Sequence, residues 1–375
     1  MSLAIYRKYR PKKLENVLGQ ESIVQILKNA AKADRLAHAY LFFGPRGSGK
    51  TSTARLIAKI ANCEKRQNDK KFQELGEPCN ECRACLEIDA GRALDVVEID
   101  AASNRGIDEI RDLKEGIKFS PTSLKYKVFI IDEVHQLTKE AFNALLKTLE
   151  EPPAHAIFIL ATTESEKMPA TITSRTQRFH FKKLPRLVIV DKLKEIVKAE
   201  KIKADDEALE LIASAAEGSF RDAESLIDQI ASLSSESGEN KERRIAVEDV
   251  ERILGKVEFG RTAEFAGLLI NKDLKAAIEY ISKITESGYN IVSFNKDLIH
   301  YLRRVLTLRF NPDIEIEFGK ELTDTEMKTN KAHAAAIDPQ TAINLIKSLI
   351  RAYSEMRYSP FAIVPLEVAI IENLK

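Results

Sequence analysis

Residues Gly44-Pro45-Arg46-Gly47-Ser48-Gly49-Lys50-Thr51 spell G-x-x-x-x-G-K-[ST], and no other stretch narrows the possible folds as much. Such a loop needs an apolar strand before it and a helix after it, because that turn aims several backbone N–H groups and a helix N-terminus at one point. Both flanks are present: Ala39–Phe43 (AYLFF) reads as a buried strand and Ser52–Asn62 as a helix. A glycine-rich loop capping an ordinary helix is the plainer reading, and the complete motif with its correct flanks argues against it. In a phosphate-binding loop the glycines admit the backbone to the phosphates, Lys50 reaches the β- and γ-phosphates and the Thr51 hydroxyl ligates Mg²⁺. The nucleotide-binding run is therefore Gly44, Arg46, Gly47, Ser48, Gly49, Lys50, Thr51 and Ser52.

Four further strand-like runs follow: Asp95–Asp100 (DVVEID), Lys127–Ile131 (KVFII), Ile157–Thr163 (IFILATT) and Gln177–Phe181 (QRFHF). They alternate with helical patterns, as in a parallel sheet covered by helices. One such helix carries Phe142, Leu145, Leu146 and Leu149 at the i, i+3, i+4, i+7 spacing of a buried face, and Pro152-Pro153 stops it. The run Val128–Ile131 ends in Asp132-Glu133, where a parallel strand delivers side chains to the ligand-binding edge of the sheet. Beside a phosphate-binding loop, Asp132 is expected to hold Mg²⁺ directly or through water, and Glu133 to polarise the water that attacks the γ-phosphate. A solvated acidic loop is the alternative. Arg175 and Arg221 stay open at this level. Either is a surface residue in a weak ion pair, or it supplies the extra positive charge that phosphoryl transfer needs.

All four cysteines, Cys63, Cys79, Cys82 and Cys85, fall in one segment. Two overlapping C-x-x-C steps and one more distant thiol make the four ligands of a structural, tetrahedral zinc site rather than a disulfide framework. The rival is a redox pair, which needs only two cysteines. Four protein ligands leave no open coordination position, so the metal would be scaffold.

After Phe181 no strand signal recurs until near Asn311, and the rest reads as helical. Residues from about Pro185 to Leu233 form two or three short helices, one capped by Ser219 with Asp222 three residues on. The polar stretch Ser234–Arg244 reads as an exposed loop. Beyond it Leu274–Ile284, Ile291–Leu308, Gln340–Ile350 and Val364–Leu374 carry apolar residues at helical spacing. The expected division is an α/β ATPase domain over 1–181 with a zinc module at about 63–85, a small helical domain over 182–244, and an all-α domain over 245–375. The chain is 375 residues long, and 58 Lys and Arg against 57 Asp and Glu give a net charge of +1. That excludes a broadly basic nucleic-acid binder, so any DNA contact must be local. No apolar stretch approaches the roughly 20 residues of a membrane span and the N-terminus has no signal-peptide pattern, so the protein is read as cytoplasmic, with no membrane partner.

In order along the chain, RKYRPKKLENVLGQ, GPRGSGKT, the cysteine insert, EIDAASN, KVFIIDEVHQL, NALLKTLEEPP, ILATTESEKMPATITSRT and EGSFRDAESLIDQ resemble the gamma/tau family of bacterial DNA polymerase III, which are AAA+ clamp-loader ATPases. The resemblance covers essentially the whole chain and is strongest over residues 4–232. It implies an AAA+ domain with a five-stranded parallel sheet, a helical lid and a helical collar for oligomerisation. The implied activity is hydrolysis of ATP with magnesium, in a ring with delta, delta-prime and further copies of the chain, loading a sliding clamp onto primer-template DNA.

Matched position by position, Arg10, Pro11 and Val17 line the adenine pocket, and Thr163, beside Thr162, senses the γ-phosphate. Arg175 is the arginine finger that acts on a neighbour's ATP, and Arg221 is a second sensor acting within its own subunit. Ser103, Asn104 and Arg105, just after Ala102, match the segment that tracks the DNA backbone. The chain departs from the family at Thr176, where a cysteine is usual, at a longer insert between Cys63 and Cys79, and at Tyr6, where a small residue is expected beside the adenine. Two rival functions are weighed: a non-hydrolysing delta-prime-like scaffold, against which the intact GPRGSGKT and Asp132-Glu133 argue, and an AAA+ DNA-remodelling motor, which gives no reason for the cysteine insert. The resemblance includes a longer tau form with a C-terminal extension that lies beyond Lys375.

Overall fold

The computed structural model describes residues 4–103, 115–117, 119–233, 244–254, 259–287, 289–319 and 322–375. It divides into two compact units, Met1–Leu184 with Gly218–Asp222, and Pro185–Glu217 with Ala223–Lys375.

The first unit is built on five strands: β1 (Ala39–Phe43), β2 (Val96–Asp100), β3 (Lys127–Asp132), β4 (Ala156–Thr162) and β5 (Gln177–His180). Their order is β2-β3-β4-β1-β5 and every pairing is parallel. All five coincide with the strand-like runs of the sequence to within a residue at each end. Burial on both faces explains why these runs are almost continuously apolar. Alternate residues feed two separate cores. Tyr40, Phe42, Val128, Ile130, Ile157 and Ile159 face helices Glu21–Lys32 and Lys50–Asn62, while Leu41, Phe129, Ile131, Phe158 and Leu160 face helix Lys139–Glu150. In that last helix Phe142, Leu145 and Leu149 are buried, as their spacing requires. The helix on the other face is longer than expected, since it begins at Lys50 rather than Ser52.

In the second unit the three short helices are Arg186–Ala199, Asp206–Ala215 and Phe220–Leu233, the last with its first turn grouped in unit one. Ser219 caps that helix, its Oγ accepting from the Asp222 N–H at 3.3 Å. Lys203–Ala204 and Arg244–Ile245 form a parallel two-residue pairing, too short to leave a period in the sequence. The expected loop over residues 234–243 lies outside the described residues.

The C-terminal helices are Phe259–Ile270, Leu274–Glu286, Ile291–Phe310, Asp324–Ala336, Pro339–Met356 and Ile363–Leu374. They close on one core that includes Phe265, Phe294, Tyr301, Leu345 and Leu366. Side-chain caps mark their starts at Asp273, Asn290, Thr323 and Asp338. Near Asn311 there is no strand: Pro312–Ile314 is a tight turn and Glu315–Phe318 a short helix. Proline at the first position and acids in the first turn favour helical nucleation over extension there. Arg186 donates to both carboxylate oxygens of Glu326, tying the first short helix to Asp324–Ala336. Among the described residues no helix is long and apolar enough to cross a membrane.

Phe158 lies wholly buried in β4 and stacks on Phe129 at a centroid distance of 5.3 Å. Phe158→Ala should therefore cost about 3–5 kcal/mol, measured as a lowered denaturation midpoint of the first unit; an unchanged midpoint would contradict the packing.

Candidate nucleotide and metal sites

The glycine-rich loop leaves the C-terminal end of β1 and enters helix Lys50–Asn62. Two glycines are obligatory for steric reasons. A Cβ on Gly44 would stand 2.2 Å from the Phe181 carbonyl oxygen, and one on Gly47, at φ +71°, would stand 2.0 Å from Ser219 Oγ. Ser48 Oγ donates to the Pro45 carbonyl at 2.8 Å. Lys50 is buried, and its ammonium donates to the carbonyls of Gly44 and Pro45 at 2.8 Å each. Burial lowers its pKa, while the nearby Glu133 and Asp132 charges work in the opposite direction. Arg46 is exposed, and Ser52 is half-buried in the first turn of the helix.

The acidic pair stands at the tip of β3. Thr51 Oγ1 donates to Asp132 Oδ2 at 2.7 Å, so the two residues expected to hold magnesium are already in contact. Glu133 takes a left-handed backbone conformation (φ +47°), unusual for a side chain of its size. Its carboxylate accepts from both the N–H and the hydroxyl of Thr163, at 3.2 and 2.8 Å. Thr162 is fully buried one residue earlier, at the end of β4. The sheet thus gathers Lys50, Thr51, Asp132, Glu133 and Thr163 at one edge.

Arg221 lies elsewhere in the sequence but in the same compact unit. Its guanidinium sits over the Tyr6 ring, 5.2 Å from the centroid. Tyr6 is therefore a platform for an arginine in this structure. Arg10 shares that neighbourhood. Burial first, then Arg55, with smaller contributions from Arg221 and Arg7, pushes its guanidinium below the usual arginine range, against an opposing charge on Glu98. Of these arginines, Arg55 is paired with Glu98 at 2.6 Å. Val17 is buried 3.5 Å from where a Gly49 Cβ would lie, so it borders the loop; Pro11 is half-buried in the stretch before it.

Two expected site residues, Arg175 and Ser103, are not drawn into this cluster. Arg175 pairs with Glu150 Oε1 at 2.6 Å and donates to the Thr171 carbonyl and Ser174 Oγ, none of which belongs to the glycine-rich loop. Thr176 turns its hydroxyl to the carbonyls of Ile172 and Thr173. Ser103 is exposed and bonds to Asp100, while Asn104 and Arg105 lie outside the described residues.

The sulfur atoms of Cys63, Cys79, Cys82 and Cys85 all lie within 4.8 Å of one another, and Cys79 and Cys85 are 3.9 Å apart. Four thiolates at about 2.3 Å around a tetrahedral ion would stand roughly 3.8 Å apart, so this donor set is compatible with zinc. Backbone N–H groups of Glu81 and Cys82 point at Cys79 Sγ, and that of Cys79 at Cys63 Sγ, which favours thiolate sulfur. The Cys85 thiol, donating to Cys63, pulls the Cys63 pKa down to about 4, and the same contact together with burial pushes Cys85 up. A divalent ion would favour ionisation of all four.

Sequence reasoning missed how deeply this insert is rooted. Glu77 is buried and accepts from the backbone N–H groups of Leu14 and Glu15 at 2.7 and 3.1 Å, with Lys28 at 3.0 Å. Lys59, buried in the helix after the glycine-rich loop, donates to both oxygens of Asp89 at 2.7 Å. No local pattern flags Glu77, because its backbone partners Leu14 and Glu15 are more than sixty residues away and Lys28 nearly fifty.

A parallel sheet in the order 5-1-4-3-2, a phosphate-binding loop after β1, acids at the tip of β3 and a polar pair at the tip of β4 define a P-loop nucleotide-binding domain of the AAA+ class. Comparison with known proteins narrows the class. Residues 19–185 match the family described as DNA polymerase III, delta subunit; 188–236 match the DNA polymerase III clamp loader subunit, ATPase lid domain; and 245–374 match DNA polymerase III subunits gamma and tau domain III. DNA polymerase III subunit tau of Bacillus subtilis is 43% identical over 98% of this chain, and the gamma/tau subunit of Mycoplasma genitalium 36% identical over 100%. The chain belongs to the DNA polymerase III gamma/tau family. It spans 62% of the length of each of these two relatives. Among solved structures, the Bacillus subtilis DNA clamp loader delta protein aligns over 93% of this chain and 99% of its own, at 13% identity and a TM-score of 0.42.

Cys82→Ser should reduce bound zinc well below the about one ion per chain that a four-thiolate site holds and lower the thermal unfolding midpoint, read by elemental analysis and calorimetry. Unchanged zinc content would contradict the assignment.

Proposed function

We propose that the chain is the ATP-binding and ATP-hydrolysing subunit of a bacterial clamp loader, opening a sliding clamp and releasing it onto primed DNA. The observation that carries this reading is the run of contacts from Thr51 through Asp132 to Glu133 and Thr163, which supports a role for Thr51 and Asp132 in holding magnesium and for Glu133 in activating water beside the phosphate-binding loop. Lys50, Thr51 and the loop amides hold the triphosphate, and Asp132 helps Thr51 hold Mg²⁺, whose charge would neutralise the phosphate oxygens. Glu133 takes the proton of the attacking water, Thr163 orients Glu133 and reads the γ-phosphate, and Arg10, Val17 and Arg221 border the nucleoside and phosphates.

Hydrolysis needs one charge more than this chain places in its own cluster. Arg175 supplies it to ATP bound by the neighbouring subunit, and its seat outside the cluster supports that role. Assembly falls to the C-terminal helices over 245–375, with 182–244 as the lid and 1–181 as the ATPase domain. Val364, Val368 and Ile371 recur on one face of Ile363–Leu374 and remain exposed beside Phe361, which supports burial against further copies of the chain or against delta and delta-prime. Ser103 to Arg105 offer local contact with the DNA backbone, in keeping with the near-neutral charge. Zinc is a scaffold ion in this reading.

The test is ATP hydrolysis by the purified chain with and without delta, delta-prime, clamp and primed DNA. Strong stimulation by the full set is expected; high activity on branched DNA alone would indicate a remodelling motor, and no hydrolysis under any condition a scaffold. Lys50→Ala should abolish nucleotide binding. Arg175→Ala should keep binding but lower stimulated hydrolysis by roughly 10³-fold or more, and normal hydrolysis by that variant in the assembled complex would refute the finger assignment.

A further inference from the structure

We propose that His135 is a positioning residue for hydrolysis, bracing the Glu133 carboxylate against Glu164 in the loop that leads to Arg175. The inference rests on the reading of Glu133 as the water-activating base.

His135 lies in the tight turn Val134–Gln136, directly after the acidic pair, and its side chain is only 3% exposed. A carboxylate faces each ring nitrogen. Nδ1 is 3.4 Å from Glu133 Oε2 and 2.9 Å from the buried hydroxyl of Thr162; Nε2 is 3.1 Å from Glu164 Oε1 and 2.9 Å from the Gln136 side-chain nitrogen. Glu164 is fixed in turn, its backbone N–H donating to Thr162 Oγ1 at 3.0 Å and its other oxygen pairing with Lys167 at 2.7 Å. A histidine that merely filled space would not need a polar partner on both sides of its ring.

The contacts on Glu133 are one-sided, and that gives them a chemical use. Both donors of Thr163 address one oxygen, Oε2, and His135 Nδ1, hydrogen-bonded to Thr162 Oγ1, stands 3.4 Å from that same oxygen. Among the described residues no hydrogen bond to Oε1 is seen. A carboxylate clamped through one oxygen presents the other in a fixed direction, as a base must when a bound water has to be held in line with the phosphorus. Through Glu164 the same imidazole touches the start of the segment 163–175, which continues through the turn Ser165–Lys167 and the short helix Ala170–Thr173 to Arg175. One buried ring thus stands between the Glu133 carboxylate and the first residues of the segment that carries Arg175.

The test uses the chain assembled with delta, delta-prime, clamp and primed DNA, comparing wild type with Glu133→Gln, His135→Phe and His135→Asn for kcat, KM and ATP affinity. Phenylalanine preserves volume and removes both polar contacts; asparagine keeps a polar atom near the Nδ1 position. His135→Phe should lower kcat roughly 10- to 100-fold with KM and ATP affinity within about twofold of wild type, and His135→Asn should recover a substantial part of the loss. Full kcat in His135→Phe overturns the proposal, as does a loss of ATP affinity as large as the loss of kcat, which marks a structural role. Should His135→Phe fail to fold, His135→Asn decides alone: the KM-neutral fall in kcat must appear there in weaker form, and its absence overturns the proposal. Wild-type activity in Glu133→Gln, or a wild type that never hydrolyses ATP, refutes the underlying reading instead and is recognised without any His135 variant.

Discussion

The hydrogen bond from Thr51 to Asp132 joins two parts of the chain that the sheet itself keeps apart. β1 and β3 are separated by β4, so their backbones stand two strand spacings apart, roughly 10 Å. A hydroxyl and a carboxylate reach across that gap only if β4 ends just below them. It does, and Thr163, the residue after its tip, donates to Glu133 beside them. The strand order, rather than any single motif, brings the two halves of the chemistry within hydrogen-bonding range.

How much of this was legible follows from the distance over which each feature is encoded. The five strands, the phosphate-binding loop and the cysteine cluster are local patterns, and a period, a run or a spacing of a few residues suffices to read them. The Ser219 cap was readable for the same reason. The two-residue pairing of Lys203–Ala204 with Arg244–Ile245 was not, since two residues carry no period. Near Asn311 the β-branched isoleucines misled, and Pro312 with the acids after it decided for helix. Tyr6 illustrates a further limit. Its identity departs from the family, but that its ring would underlie Arg221 depends on bringing residues 6 and 221 together, which no window of sequence reports. His135 was in plain view within DEVHQ, yet only the fold surrounds it with Glu133, Thr162 and Glu164.

The cysteine insert is bound into the nucleotide domain on two sides. Glu77 caps the turn Leu14–Asn16, which precedes Val17 at the edge of the loop, and Lys59 ties helix Lys50–Asn62 to Arg83–Asp89. Both are buried or nearly buried charges with partners, so losing either partner would leave an uncompensated charge rather than simply remove a contact. Order in the thiol cluster is thereby shared with the helix that follows the glycine-rich loop and with the turn before Val17.

Gly47 and Ser219 are separated by 172 positions and meet at a point where there is room for one side chain, not two. The occupant is the serine, whose hydroxyl also caps the helix that carries Arg221. A side chain at 47 is excluded twice over, by Ser219 opposite it and by a backbone φ of +71°. A designer who transplanted this phosphate-binding loop into another scaffold would have to carry the notch opposite it as well, or lose the loop's shape along with its glycine.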